Sequence, residues 1–128
     1  MTKLVISLSA DLDGTSFEES TNIGGLRAGE DLLPCTPVRI DANFRVFKAV
    51  AGQNFDGISS PRKAFTGQPV TVLGYGQRFK ATDVALDPTK RYGLSNNPNE
   101  VDDAATTPVF RPVSTFDLQI IYIGKTSA

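Results

Sequence analysis

The residues best suited to do chemistry come early, where Asp11-Leu12-Asp13-Gly14-Thr15 follows the hydrophobic run Leu4-Val5-Ile6-Ser7-Leu8. Carboxylates can act as nucleophiles and as proton carriers. Two of them cannot run phosphoryl transfer alone, because that chemistry rests on charge stabilisation by a metal and a cation. The remaining inventory is thin. Histidine and tryptophan are absent. Lacking histidine removes the commonest general base, the commonest metal ligand and every Ser-His or Cys-His nucleophile. Cys35 is the only cysteine, so neither an internal disulfide nor a cysteine metal cluster can form. It sits between Pro34 and Pro37 without a basic activator beside it, and reads as a packing residue.

A hydrophobic run followed by D-x-D-G-T resembles the nucleophile motif of haloacid-dehalogenase-like phosphatases. The resemblance implies that Asp11 attacks phosphorus and that Asp13 is general acid and base. It also implies a lysine and a late acidic pair for magnesium, which Lys90 and Asp102-Asp103 imitate. The imitation fails on context. Asp102-Asp103 follows the polar stretch Asn96-Asn97-Pro98-Asn99-Glu100 rather than a hydrophobic strand. The family's parallel sheet needs crossovers of about a dozen residues. Residues 16–28, where the first should run, contain Gly24-Gly25. The segment 11–15 is therefore read as a turn with solvated carboxylates. A small phosphatase-like hydrolase is the alternative function, and a β-type binding module is a third.

The elements that must position any site come from a chain of 128 residues, enough for one domain. Apolar residues are 40%, charged residues 21%, and the formal charge is −1. That balance carries no basic footprint for a nucleic-acid partner. The basic pairs Arg62-Lys63 and Lys90-Arg91 suffice for a salt bridge but are too sparse for a phosphate backbone. No stretch approaches the ~20 apolar residues of a membrane span, and residues 4–8 are shorter than a signal-peptide core. No membrane partner and a cytosolic origin are expected. The acidic pairs Glu18-Glu19 and Glu30-Asp31 are read as loop charges.

Eleven glycines and eight prolines leave little room for long helices, and the clearest periodicity is two. Phe116-Asp117-Leu118-Gln119-Ile120 alternates, and Ile121-Tyr122-Ile123 is expected to extend it as a buried strand. Strands are also expected over 69–74, over 44–50 and at the start, where Leu4, Ile6 and Leu8 share one face. Turn signals separate them at Asp13-Gly14, Gly24-Gly25, Asp56-Gly57, Asp87-Pro88 and Asn96–Asn99. Residues 77–87 have room for one helical turn. The expected fold is all-β: a small single-domain barrel or sandwich of short strands with little helix. Residues 1–25 form an extended N-terminal arm, or a first strand plus loop, and residues 26–128 form the β domain.

From residue 28 onward the order of features resembles bacteriophage head decoration, or capsid cement, proteins. The residues carrying this are Ala28-Gly29-Glu30-Asp31-Leu32 leading to Val38, and the stretch Asp41 to Ala49 with Val46 and Lys48. They continue with Gly57-Ile58, Gly67-Gln68-Pro69-Val70-Thr71-Val72-Leu73-Gly74, Leu86 to Tyr92, and Arg111 to Ile120. Cys35 and Lys90 stand where glycine is usual in that family. The resemblance implies a β-tulip-like domain that is not an enzyme and needs no cofactor or metal. It implies a virion structural protein on the outer surface of an icosahedral head, with the major capsid protein and itself, as a homotrimer, for partners. A closed ring of head-to-tail contacts would follow.

Two candidate interfaces go with that reading. Leu4, Val5, Ile6 and Leu8 either belong to an arm that adds a strand to a capsid subunit or neighbouring protomer, or form the first strand of the chain's own core. The polar stretch Leu94 to Glu100, with Asn96 and Asn97, suits an outward-facing tip. Phe55, Phe65, Phe79 and Phe110 sit beside turns. Most are expected in the core, with one or two buried only where protomers meet.

Overall fold

The computed structural model describes residues 3–7, 10–12 and 23–127. Among these, no residue is helical, and every regular element is a short strand. In chain order the strands are β1 (Lys3–Val5), β2 (Asp11–Leu12), β3 (Ile23–Ala28), β4 (Pro37–Ile40), β5 (Arg45–Lys48), β6 (Asn54–Phe55) and β7 (Gly57–Ser59). They continue with β8 (Pro69–Leu73), β9 (Arg78–Lys80), β10 (Tyr92–Leu94), β11 (Glu100–Asp102), β12 (Pro108–Pro112), β13 (Asp117–Ile120) and β14 (Gly124–Lys125). The all-β expectation holds.

Five strands close into a barrel in the order β3-β5-β4-β7-β8. The β3–β5 pair is parallel, and the other pairings are antiparallel. Closure leaves no unpaired edge. Leu26, Ala28, Leu32, Val38, Val46, Ala64, Val70 and Val72 fill the interior. Glu30 and Asp31 do more than sit in water. Glu30 Oε2 accepts from Lys48 N at 2.9 Å, and Asp31 Oδ1 accepts from Thr66 N at 2.9 Å. Together with the isolated bridge between Leu32 and Ala64, they tie the 29–32 loop across the barrel.

Seven strands form an antiparallel sheet in the order β1-β11-β10-β12-β13-β9-β2. Its inner face buries Phe79, Tyr92, Leu94, Val101, Val109, Phe110, Leu118 and Ile120. Phe110 is the hub, with its ring edge-on to Phe55 at 5.3 Å and to Phe79 at 5.5 Å between centroids. Strand alternation lets the barrel and sheet share a wall. On β8, Val70 and Val72 point into the barrel while Leu73 points into the sheet core, beside Ile58 of β7. Gly57 makes that wall possible. At φ +137 it lies so close to β8 that a Cβ would strike the Leu73 carbonyl oxygen; only glycine fits both conditions.

The two end strands of the sheet, β1 and β2, are consecutive in the chain. Between them, Ile6 N donates to Asn99 O at 2.9 Å and Ser7 N to Ala81 O at 2.6 Å. The chain thus passes from the β11 side of the sheet at Ile6 to the β9 side at Ser7, which curls it. A small pair, β14 with β6, joins the C-terminal residues to the barrel side.

Several expectations are corrected. Ile121-Tyr122-Ile123 does not extend β13; Tyr122 and Ile123 are exposed, 37% and 38%. The neighbouring strand β12 begins at Pro108, which has no N–H to donate, and the chain departs to pair Gly124 with Phe55. Gly24-Gly25 is not a turn. It lies inside β3, where the register with β8 slips between Ile23 and Leu26, and Gly25 takes φ +80. Residues 77–87 hold β9 and bends rather than a helical turn. Of the four phenylalanines, Phe55, Phe79 and Phe110 are fully buried, whereas Phe65 is half exposed.

Candidate interaction surface

Strand β1 ends the seven-stranded sheet, and alternation divides its side chains cleanly. Leu4 and Ile6 are buried in the sheet core, while Val5 between them is 66% exposed. Leu4 pairs with Val101 and Val5 with Glu100. Residues 3–5 are thus a strand of this chain's own sheet, and Ile6 just beyond it packs in the same core. Leu8 lies outside the described residues.

The outer side of β1 borders a groove of about 450 Å³ lined by Lys3, Val5, Ser7, Asp83 and Val84 together with Leu4 and Ile6. Val84 is 59% exposed. Beyond Asp83 the surface continues to Phe116, 40% exposed, whose carbonyl accepts from Ala81 N at 2.8 Å. Asp83 is fixed between these apolar groups. A hydrogen bond from the Ser7 side chain, and then one from Lys80 at 3.2 Å, hold its carboxyl below the ordinary carboxylate value. The result is a sheet edge flanked by three exposed apolar side chains and one anchored charge.

The loop carrying Asn96 and Asn97 meets the same strand. Lys3 Nζ donates to Asn96 Oδ1 at 2.9 Å. The loop is ordered from within: the Ser95 hydroxyl donates to Glu100 Oε1 at 2.9 Å, and Asn97 N donates to Ser95 Oγ at 3.3 Å. Asn99 turns the chain at φ +60, a conformation asparagine tolerates, and its side-chain oxygen lies 2.7 Å from Thr36 Oγ1. Two sequence regions singled out separately, residues 4–6 and residues 96–97, therefore form one neighbourhood. Val84 and Phe116 complete it, and sequence reasoning missed both. Val84 lies at a bend, where an apolar residue carries no periodic signal, and Phe116, read as the start of the alternating run, lies at a bend before β13 and is exposed.

The acidic motif is placed otherwise. Asp11 and Leu12 make a two-residue strand antiparallel to β9, opposite Lys80 and Phe79. Asp13, Gly14 and Thr15 lie outside the described residues. The setting of Asp11 is an antiparallel sheet, not the C-terminal edge of the parallel sheet that the phosphatase motif requires. Asp102 Oδ1 accepts from Ala104 N at 2.9 Å, and Asp103 pairs with Lys90 at 3.7 Å. Among the described residues, no three His, Cys, Asp or Glu side chains cluster to hold a metal ion. Cys35 is fully buried in the sheet core. Its φ of +50 lies in the left-handed region that favours glycine.

No protein-family model matches this chain, and no curated protein matches its sequence.

Proposed function

We propose that this chain is a virion structural protein, a capsid decoration protein that binds the outer surface of an icosahedral phage head as a homotrimer and stabilises it. The observation that carries the reading is the β1 edge: a terminal strand with Val5 exposed, beside a groove completed by Val84. Exposed apolar groups around a sheet edge mark a place where another chain adds a strand or packs a face. Backbone pairing supplies affinity there, and the pockets beside Val5 and Val84 supply specificity.

The rest of the molecule suits a clamp rather than a catalyst. A closed barrel sharing a wall with a curled sheet is rigid, and rigid surfaces lose little entropy on association. The left-handed Cys35 falls where the decoration family usually carries glycine, which favours the same register of resemblance. The partner is the major capsid protein, and the second contact is a neighbouring copy.

Light scattering of the purified protein, with and without Val5→Glu, tests the self-association part. The parent is expected to be a trimer. A parent that is monomeric at every accessible concentration counts against the reading.

A further inference from the structure

The outward face of the seven-stranded sheet carries a row of side chains for which the reading above has no use. Phe110, Leu118 and Phe79 point into the core, so their strand neighbours point out. Arg111 stands opposite Gln119, and Gln119 opposite Arg78. Tyr92 pairs with Phe110, and Arg91, just before β10, lines one cleft with Arg111 of β12. Two like charges brought to one cleft repel each other.

Nothing among the described residues offsets them. The ion pairs there are Lys80 with Asp83 and Lys90 with Asp103, and neither Arg91 nor Arg111 takes part in one. Arg91 donates only to the Lys90 carbonyl, at 3.2 Å. Arg111 is gripped from one side, its Nε donating to Gln119 Oε1 at 2.9 Å while Gln119 Nε2 donates to Gly76 O at 3.1 Å. That relay fixes the guanidinium plane and leaves both Nη groups of Arg111 for another acceptor. The cleft between the two arginines measures about 420 Å³, and no carboxylate lines it. The ring of Tyr75, 57% exposed, forms its other wall.

We propose that this cleft is a docking site for an acidic peptide segment of a partner protein. A carboxylate of the peptide lies between Arg91 and Arg111, and a neighbouring apolar side chain lies on Tyr75. Guanidinium groups suit carboxylates because their planar forks donate in pairs. A nucleic-acid strand is the poorer fit. It needs a basic track and serial stacking rings, whereas this is a local charge pair on a chain of net charge −1. The assignment stands without the capsid reading, since it rests on the Arg91–Arg111 pair and not on the β1 edge.

The test is fluorescence anisotropy at low salt on the full chain, using a labelled peptide with alternating glutamate and valine and its glutamine counterpart. The glutamate peptide is expected to bind, to weaken as salt rises, and to weaken about ten-fold or more with Arg91→Gln or Arg111→Gln. Gln119→Leu is expected to weaken it less, because it frees the Arg111 plane without removing charge. Both arginines are exposed, and unchanged thermal melts confirm that their variants fold. Equal binding of the glutamate and glutamine peptides, or equal binding by the variants and the parent, overturns the proposal. So does failure of the glutamate peptide to bind, or preferential binding of a single-stranded oligonucleotide of equal charge.

Discussion

The Lys3 ammonium donates a 2.9 Å hydrogen bond to Asn96 Oδ1 across 93 positions of sequence. It joins the first described strand to the tip of the 95–100 loop and makes them one surface. Both side chains are exposed, so the bond organises more than it stabilises. Lys3→Ala is expected to cost no more than about 1 kcal/mol while weakening any partner contact that spans β1 and the loop.

Neighbouring residues of β1 should answer the same substitution in opposite ways. Leu4→Glu places a charge in the sheet core and is expected to prevent folding or to cost roughly 4 kcal/mol or more. Val5→Glu, one residue on, meets solvent opposite Glu100 and is expected to cost no more than about 1 kcal/mol. Urea unfolding of both variants checks this. Equal losses would mean that the alternation of β1 is misassigned.

Phe110 is the centre of the sheet core through its contacts with Phe55 and Phe79. Phe110→Ala is expected to cost about 3–5 kcal/mol, read as a lower denaturation midpoint. A loss under about 1 kcal/mol would show that the site collapses around the gap.

Two glycines separate backbone strain from steric conflict. Gly67 has φ +86 with open space around its missing Cβ, whereas Gly57 has φ +137 with the Leu73 carbonyl in the way. Gly67→Ala is expected to cost about 1–2 kcal/mol. Gly57→Ala carries the conflict as well, and is expected to be far worse or to yield no folded protein. Comparable stabilities for the two would contradict the shared wall.

How much of this was legible in the sequence follows from what each feature depends on. Period-two runs and dense glycine and proline reveal strands, because burial on one face of a pleated strand is a local property. Hence β5, β8, β13 and the all-β class could be read directly. Strand β3 could not, since Gly24-Gly25 mimics a turn and its bulge depends on pairing with β8. The over-extension to Ile123 has the same origin: hydrophobicity continues, but the partner strand does not. Register is the deeper gap. Arg91 and Arg111 are twenty residues apart in the numbering and become neighbours only through the Tyr92–Phe110 pair. Asn96 and Asn97 could be proposed as a tip, but nothing local tied them to Lys3.

Asp31 gives the fold a dependence on pH. Hydrogen bonds from Thr66 N, and next from the Thr66 hydroxyl, hold its carboxyl below the ordinary carboxylate value. A carboxyl whose value is depressed in the folded state favours folding when ionised. Its contribution is present above the ordinary value and is lost as pH falls through the folded one. Asp31→Asn is therefore expected to be less stable than the parent at neutral pH, with the gap closing below about pH 4. Thermal melts across that range check it, and a gap that stays constant or widens in acid would contradict the role of the Thr66 bonds.

The central claim is that β1 and its groove bind a capsid. Co-sedimentation of the purified protein with expanded and unexpanded heads of the phage that, on this proposal, encodes it tests this most directly. Saturable binding to expanded heads alone, abolished by Val5→Glu in a protein that still folds, is the predicted result. Absence of binding to either form, or undiminished binding by the Val5→Glu variant, would contradict it.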